Sequence, residues 1–366
     1  MKKQTDVLIV GGGFAGVSAA QVLSKRGVNA ILVDAKDYFE VTFATLRNVA
    51  DPKRIGNTPR KYYRDFVGGA FTQGRVTRMN DKEAWFENGN VIQFERAIIA
   101  TGSRYPTFPI AKTHSAVDLH VRNQEILDEH RSLAAVKSIL VMGGGVVGVE
   151  FAGEIASAFP DKKVTLAHSA DSLLANMKPK AQAKALEQLT EQGVTVQFNR
   201  RYEKDGDSYR CTKSGETLRV DKVYACVGMV PNTEFLKAEL PDVLEASGLI
   251  KVDTFMRVEG HENLYALGDC AALDHHKHGY VANVQGAMLA NAIVKAQKGK
   301  RPKPYKTPPF AVIAVTGVDS GIAQMPFGVT TAQFFVNMKQ KDMGISNMYK
   351  TYGCSPDALI KDALTP

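Results

Sequence analysis

Two glycine-rich runs of identical spacing carry the chemistry of this 366-residue chain, Gly11-Gly12-Gly13-Phe14-Ala15-Gly16 and Gly143-Gly144-Gly145-Val146-Val147-Gly148. A G-x-G-x-x-G run lets the backbone turn tightly and approach a pyrophosphate, while the following helix turns free N–H groups and a partial positive charge toward it. One copy alone is a weak signal. Here each copy follows an apolar, strand-like run, Val7-Leu8-Ile9-Val10 and Ile139-Leu140-Val141-Met142, and opens a small-residue helical stretch. That context makes each a dinucleotide site. Two sites imply two dinucleotides face to face, and electron transfer between them.

The elements that position these runs follow from periodicity and turn residues. After the first run the pattern predicts a helix over 17–25 and a strand over 29–33 that ends at Asp34, 18 positions beyond Gly16. An acid there accepts from a ribose 2′-OH, or serves only as a strand-end cap. The stretch 71–90 alternates like antiparallel strands, and the apolar run 96–99 ends in Ala100-Thr101-Gly102. Around the second run, a helix over 123–135 precedes it and a strand over 163–167 follows, ending at His168-Ser169. A strand over 222–227 leads into Gly228-Met229-Val230-Pro231-Asn232. The chain then returns through Leu264-Tyr265-Ala266-Leu267-Gly268-Asp269, a helix over 280–298 and a basic linker over 298–306. The last part reads as strand-rich, including the segment 329–338.

Composition narrows the function classes. The net charge of +8 permits a polyanion partner, but the bases are spread along the chain and no DNA- or RNA-binding module is visible. Nucleic acid is therefore not the expected partner. Position 2 is Lys rather than the Gly that N-myristoylation needs, the N-terminus lacks an apolar signal segment, and no apolar stretch is long enough to span a bilayer. The expected location is the cytoplasm, with a peripheral seat on a membrane or lipid droplet as the alternative. Phe334, Phe335 and Met338 beside Lys339 and Lys341 suit an anionic lipid surface, and suit amphipathic core packing equally. No metal site is expected.

With both fingerprints, Ala-Thr-Gly and Leu-Tyr-Ala-Leu-Gly-Asp in one order, the chain resembles two-dinucleotide flavoprotein reductases of the pyridine nucleotide-disulfide oxidoreductase fold. More narrowly, Lys36-Asp37-Tyr38-Phe39, Ala44-Thr45-Leu46-Arg47 and Met348-Tyr349-Lys350-Thr351 are similar to the apoptosis-inducing-factor-like, ferroptosis-suppressor-type NAD(P)H:quinone oxidoreductases. The resemblance implies an α/β fold of two Rossmann-like dinucleotide-binding domains, the second inserted in the first, plus a small C-terminal α+β domain. Its expected limits are 1–112 with 243–305 for FAD, 113–242 for NADH or NADPH, and 306–366 for the C-terminal domain. Gly11, Gly12, Gly13, Phe14, Ala15 and Gly16 are expected around the FAD pyrophosphate, with Arg47 beside the flavin nucleotide and Val76 near the adenine. Thr101 and Gly102 leave the sheet beside the cofactor, and Asp269 matches the acid that bonds the ribityl chain, or caps a helix there. In the second domain Gly143, Gly145 and Gly148 are expected to face NAD(P)H and Glu150 to point toward the nicotinamide ribose.

The implied reaction passes a hydride from nicotinamide to flavin and two electrons onward. The cofactors carry that chemistry and the protein aligns them. Cys211, Cys226, Cys270 and Cys354 stand far apart, with no C-x-x-C pair, so a thiol acceptor has no local support. The resemblance instead implies a quinone, reduced to an antioxidant quinol, near the segment 282–286 and the C-terminal domain. Gln285 matches a polar residue near the flavin ring or else caps a backbone group. Lys350 matches an active-site lysine or else faces solvent. The alternatives are a type II NADH dehydrogenase of a respiratory chain, for whose amphipathic C-terminal helices the chain ends early, or a redox-sensing, nucleic-acid-binding protein similar to apoptosis-inducing factors. His168 stands where NAD-specific sites place an acid that repels a 2′-phosphate. NADPH should therefore be accepted as well as NADH; a kcat/KM ratio favouring NADH by more than about a thousandfold would exclude this.

Overall fold

Val7 to Val10 are apolar at every position because the fold buries both faces of their strand. Alternate residues point to opposite sides. Val7 and Ile9 join a core with Val17, Leu23 and Leu289, while Leu8 and Val10 join another with Phe86, Phe94 and Leu264. In the computed structural model, which describes residues 2–273 and 277–354, this strand (Lys2–Val10) sits inside a seven-stranded sheet. The order is Ala70–Gln73, Ala30–Asp34, Lys2–Val10, Val91–Ile99, Glu83–Phe86, Val76–Met79, with Leu264–Ala266 alongside Val91–Ile99. The pairings among the first four strands and with Leu264–Ala266 are parallel.

The alternating stretch 71–90 therefore divides. Ala70–Gln73 extends the parallel sheet, and only Val76–Met79 and Glu83–Phe86 are antiparallel additions. Period-two alternation cannot distinguish those pairings. The helix that follows the first glycine turn, Phe14–Lys25, crosses the helix Gly279–Gln297 at close range. A Cβ added to Gly286 would stand 2.1 Å from the Ala15 carbonyl oxygen, so any larger residue would force the two helices apart.

A second, four-stranded parallel sheet runs Thr195–Gln197, Lys163–Ala167, Ser138–Met142, Lys222–Ala225. Two crossing strands join it to the first sheet: Ser103–Arg104, just past Ala-Thr-Gly, pairs antiparallel with Val230–Pro231. Thr101 Oγ1 donates to the Asn232 carbonyl at 2.7 Å, and Asn232 Nδ2 returns a bond to the Thr101 carbonyl at 2.9 Å. The exits of the two units, similar in sequence, thus form one ribbon.

The C-terminal part forms the antiparallel strands Val312–Val315, Gly321–Met325 and Gly328–Thr330. Contrary to the strand-rich reading of 329–338, Gln333–Gln340 is a helix, and Ile345–Thr351 is another. The apolar residues of the first helix follow a helical stripe that a short window does not separate from a strand. Residues 355–366 of the expected C-terminal domain lie outside the described residues.

A buried ionic cluster closes the joint between the first unit and the helix Leu119–Ala135. Glu40 Oε1 accepts from Arg60 and Arg122, both at 3.0 Å, and all three side chains are inaccessible to solvent. Burial alone would raise the Glu40 carboxyl, but Arg122 and Arg60 outweigh it and hold it down at about 2. Because the folded value is depressed, this stabilisation is complete above the ordinary value of 4.5 and is lost as pH falls toward about 2. Glu40→Gln, which leaves two guanidiniums buried without a counter-charge, should cost about 3–5 kcal/mol in urea unfolding at pH 7. The gap to the unsubstituted protein should narrow on acidification, and an equal gap at pH 3 and pH 7 would refute the assignment.

Candidate functional site

The two glycine turns open onto one cleft of about 1800 Å³ that runs between the two sheets and the C-terminal part. That exceeds the roughly 300–1,000 Å³ of a pocket for one ordinary small ligand. Both turns are built alike. Gly11 and Gly143 hold φ of 105° and 115°, a conformation that favours glycine. A Cβ on Gly16 or Gly148 would stand 1.8 or 1.9 Å from the carbonyl oxygen of the first glycine in its own run, so this last glycine lets helix and strand close together. Gly13 and Gly145 face open space.

In each unit the residue ending the second strand holds the N–H of the middle glycine. Asp34 Oδ2 accepts from Gly12 N at 2.6 Å, and His168 Nδ1 accepts from Gly144 N at 3.1 Å. An accepting Nδ1 puts the imidazole proton on Nε2. Burial pushes the His168 pKa down against the opposing pull of Asp171, so the ring is neutral at pH 7. Tyr63 completes the first turn by donating its hydroxyl to the Gly12 carbonyl at 2.8 Å.

The cleft wall takes Gly11, Gly12, Gly13, Phe14 and Ala15 from the first run and Asp34 at its strand end. Val76, Thr101, Gly102 and Asp269 also line it, and from the second unit Gly145, Glu150 and His168 do so. Asp269 sits in a short turn, Gly268–Cys270, and the long helix starts only at Gly279, so it does not cap that helix. Burial opposes its ionisation. Lys112 Nζ and Ser103 Oγ, each 2.7 Å from Oδ2, nonetheless hold the carboxyl below its ordinary value.

Six expected site residues lie elsewhere. Gly16, Gly143 and Gly148 close their turns internally and do not face the cleft. Arg47 is fully buried behind it: its guanidinium binds Glu154 at 2.7 Å and also donates to the Gln340 carbonyl. Gln285 caps a backbone group, accepting from Gly268 N at 2.9 Å, while Ala282 and Gly279 reach the cleft from the same helix. Lys350 faces solvent, because its helix turns Ile345, Met348 and Tyr349 inward.

From the C-terminal helix it is Lys339 that reaches the cleft, beside a segment whose sequence suits a lipid surface and core packing equally. Its Nζ lies 2.5 Å from Glu150 Oε1, an oxygen that also accepts from Val315 N at 3.1 Å. Glu150 is thereby turned into an ion pair with the C-terminal helix. Lys339 stands three residues after buried Val336 and next to buried Gln340, a helical spacing that marks its inward side once the segment is known to be helical.

The wall beyond Lys339 is apolar, with Phe310, Ile313, Met325, Pro326 and Met338. All four cysteines are free, and only Cys226 lines the cleft, its thiol pushed up by burial. Among the described residues no group of three or more His, Cys, Asp or Glu side chains is placed to hold a metal ion, and no helix is long and apolar enough to cross a membrane.

The sequence profile of the pyridine nucleotide-disulphide oxidoreductases matches residues 5–291. The chain belongs to that family. It is 30% identical to ferroptosis suppressor protein 1 of Xenopus tropicalis, over 96% of this chain and 97% of the relative. It is 31% identical to ferroptosis suppressor protein 1 of Homo sapiens, over 96% of each. The solved structure of NDH2 from Plasmodium falciparum in complex with NADH superposes with a TM-score of 0.74 at 15% identity, covering 95% of this chain and 97% of that one. At that identity the likeness concerns the fold alone. Family membership makes this chain an FAD- and NAD(P)H-dependent flavoprotein oxidoreductase.

Replacing Arg47 should strand the Glu154 carboxylate in the core, whereas Lys350 has nothing buried to lose. Arg47→Met is expected to destabilise by about 3–5 kcal/mol in urea unfolding, and Lys350→Met to stay within about 0.5 kcal/mol. Equal effects would refute these placements.

Proposed function

We propose that the chain is an NAD(P)H:quinone oxidoreductase, with FAD on the first glycine turn, NADH or NADPH on the second, and a quinone against the apolar wall. The observation that carries the reading is the cleft itself. Two matched phosphate turns open into it, no cysteine pair lines it, and its far wall is built from Phe310, Ile313, Met325, Pro326 and Met338. The limits 1–112 with 243–305, 113–242, and 306–366 remain the proposed domains.

The residues present fit both groups. The open space over Gly13 and Gly145 admits a pyrophosphate at each helix N-terminus. Asp34 and Asp269 offer carboxylates to the hydroxyls of the first dinucleotide. Bound flavin supplies hydride acceptance and two-electron donation. The protein's part is alignment, exclusion of water and placement of one cation. Glu150 orients Lys339 rather than acting as a base, since its Oε1 already carries Lys339 and Val315 N–H. Lys339 Nζ, 3.3 Å from the Ile313 carbonyl, is then a donor at the apolar wall, suited to a quinone oxygen that gains a proton as two electrons arrive. The product is a hydroquinone, a radical-trapping antioxidant by its chemistry.

An apolar quinone resides in lipid, and the rim of the cleft suits such a surface. Phe327, Phe334 and Met338 are 71%, 78% and 50% exposed, with Phe335 in ring contact with both phenylalanines. Met325, Pro326 and Met338 continue that patch into the cleft, and exposed Lys341 lies beside it. Peripheral seating on an anionic membrane or lipid droplet is part of the proposal.

Stopped-flow mixing should bleach the flavin on NADH or NADPH and restore its colour with a short-chain ubiquinone but not with a disulfide. Lys339→Met should slow the quinone step at least tenfold. Re-oxidation by disulfide alone would end the quinone reading. Phe327→Ser/Phe334→Ser should abolish sedimentation with anionic vesicles while short-chain quinone turnover persists; equal sedimentation of both proteins would remove the lipid arm.

A further inference from the structure

The sequence places neutral His168 at a strand end but leaves the neighbourhood of that residue unspecified. The fold supplies the neighbour. After the strand Thr195–Gln197 the chain turns at Asn199, φ 56°, and comes back over the end of the adjacent strand. Asn199 N donates to the Ala170 carbonyl at 3.0 Å and Arg200 N to the His168 carbonyl at 2.9 Å. We infer that Arg200, with Arg201 and Ser169 beside it, receives the 2′-phosphate on the adenosine ribose of NADPH. This rests on the reading that the second unit holds NAD(P)H.

The first unit provides an internal comparison. There the strand Ala70–Gln73 runs parallel to Ala30–Asp34, and Gly74 N donates to the Asp34 carbonyl at 2.8 Å. Arg200 thus makes the backbone bond that Gly74 makes, and Arg201 follows as Arg75 does. In the first unit Gly74 and Arg75 both line the cleft. The two strand ends differ in charge, however. Asp34 presents a carboxylate that repels a 2′-phosphate, while His168 is neutral and its Nδ1 is already occupied by Gly144 N–H.

Two carboxylates face the proposed subsite, Asp171 beside His168 and Glu216 beside Arg200. The Arg200–Glu216 contact is loose, 3.4 Å from Nε to Oε2, with the arginine 34% exposed; Arg201 holds Glu203 at 3.4 Å. Exposed pairs of this kind are weak, whereas a guanidinium meets a phosphate with paired, charge-assisted hydrogen bonds. Binding therefore exchanges Glu216 for the phosphate. The cost of that exchange sets a moderate preference.

Calorimetry on the holoprotein with 2′,5′-ADP and 5′-AMP reads this directly. The unsubstituted protein should bind 2′,5′-ADP about tenfold more tightly than 5′-AMP. Arg200→Ala should erase the difference, Arg200→Lys should retain part of it, and Glu216→Gln should widen it about threefold. The NADPH-to-NADH ratio of kcat/KM should move in step. Equal affinity of the unsubstituted protein for both nucleotides, or an unchanged preference in Arg200→Ala, overturns the inference alone. Failure to bind either nucleotide overturns the NAD(P)H reading and the inference with it.

Discussion

One helix holds the molecule in register through two buried carboxylates. Glu150 and Glu154, one turn apart on the helix Val146–Ala158, each meet a cation from another part of the chain. Glu154 takes Arg47 of the first unit, and Glu150 takes Lys339 of the C-terminal helix. A buried carboxylate without its cation costs several kcal/mol, so neither partner can shift alone. Burial still leaves the Glu154 carboxyl above its ordinary value, which marks how fully it has been taken from water. The second glycine turn stands at the N-terminus of this same helix. Its orientation toward the first turn is thus set by the ion pairs that lock the helix.

The aromatic packing under the cleft serves the same end from the other side. Tyr349 and Tyr352 set their rings edge-on to Phe39, and Phe14 stacks on Phe43. Phe14 opens the first helix, so the C-terminal helix and the first glycine turn share one apolar seat. The cleft is therefore a three-way joint. Each contributing unit brings a wall, and no unit alone encloses the volume.

The two units also illustrate how one backbone device acquires two chemistries. A strand-end side chain must accept the N–H of the middle glycine, because that buried donor needs a partner. A carboxylate does so at Asp34 and an imidazole at His168. The backbone requirement is equal in both places. The electrostatic result is opposite, a fixed negative charge in one turn and none in the other.

Much of this was legible in the residues. The glycine runs, the apolar strands before them and the acid at Asp34 are local patterns, and local steric and hydrogen-bonding rules dictate the structure around them. For single long side chains, similarity to a family pattern leaves the surroundings open. Arg47 and Lys350 matched by type and position, yet Arg47 is sealed behind the cleft and Lys350 points to solvent. Gln285 likewise spends its carbonyl on Gly268 N.

Lys339, in sequence only a base beside the apolar residues 334–338, and Arg200 carry no local signal of a site for the complementary reason. Their significance lies in what they stand beside: Glu150, 189 positions earlier in the chain, and His168, across a strand end. Local sequence determined that there are two dinucleotide turns and which glycines shape them, because those features depend on the dihedral freedom of a few consecutive residues. Tertiary structure alone decided which charged side chains meet, which are buried and which face the cleft, because a charge is stabilised only by partners that folding brings from distant parts of the chain.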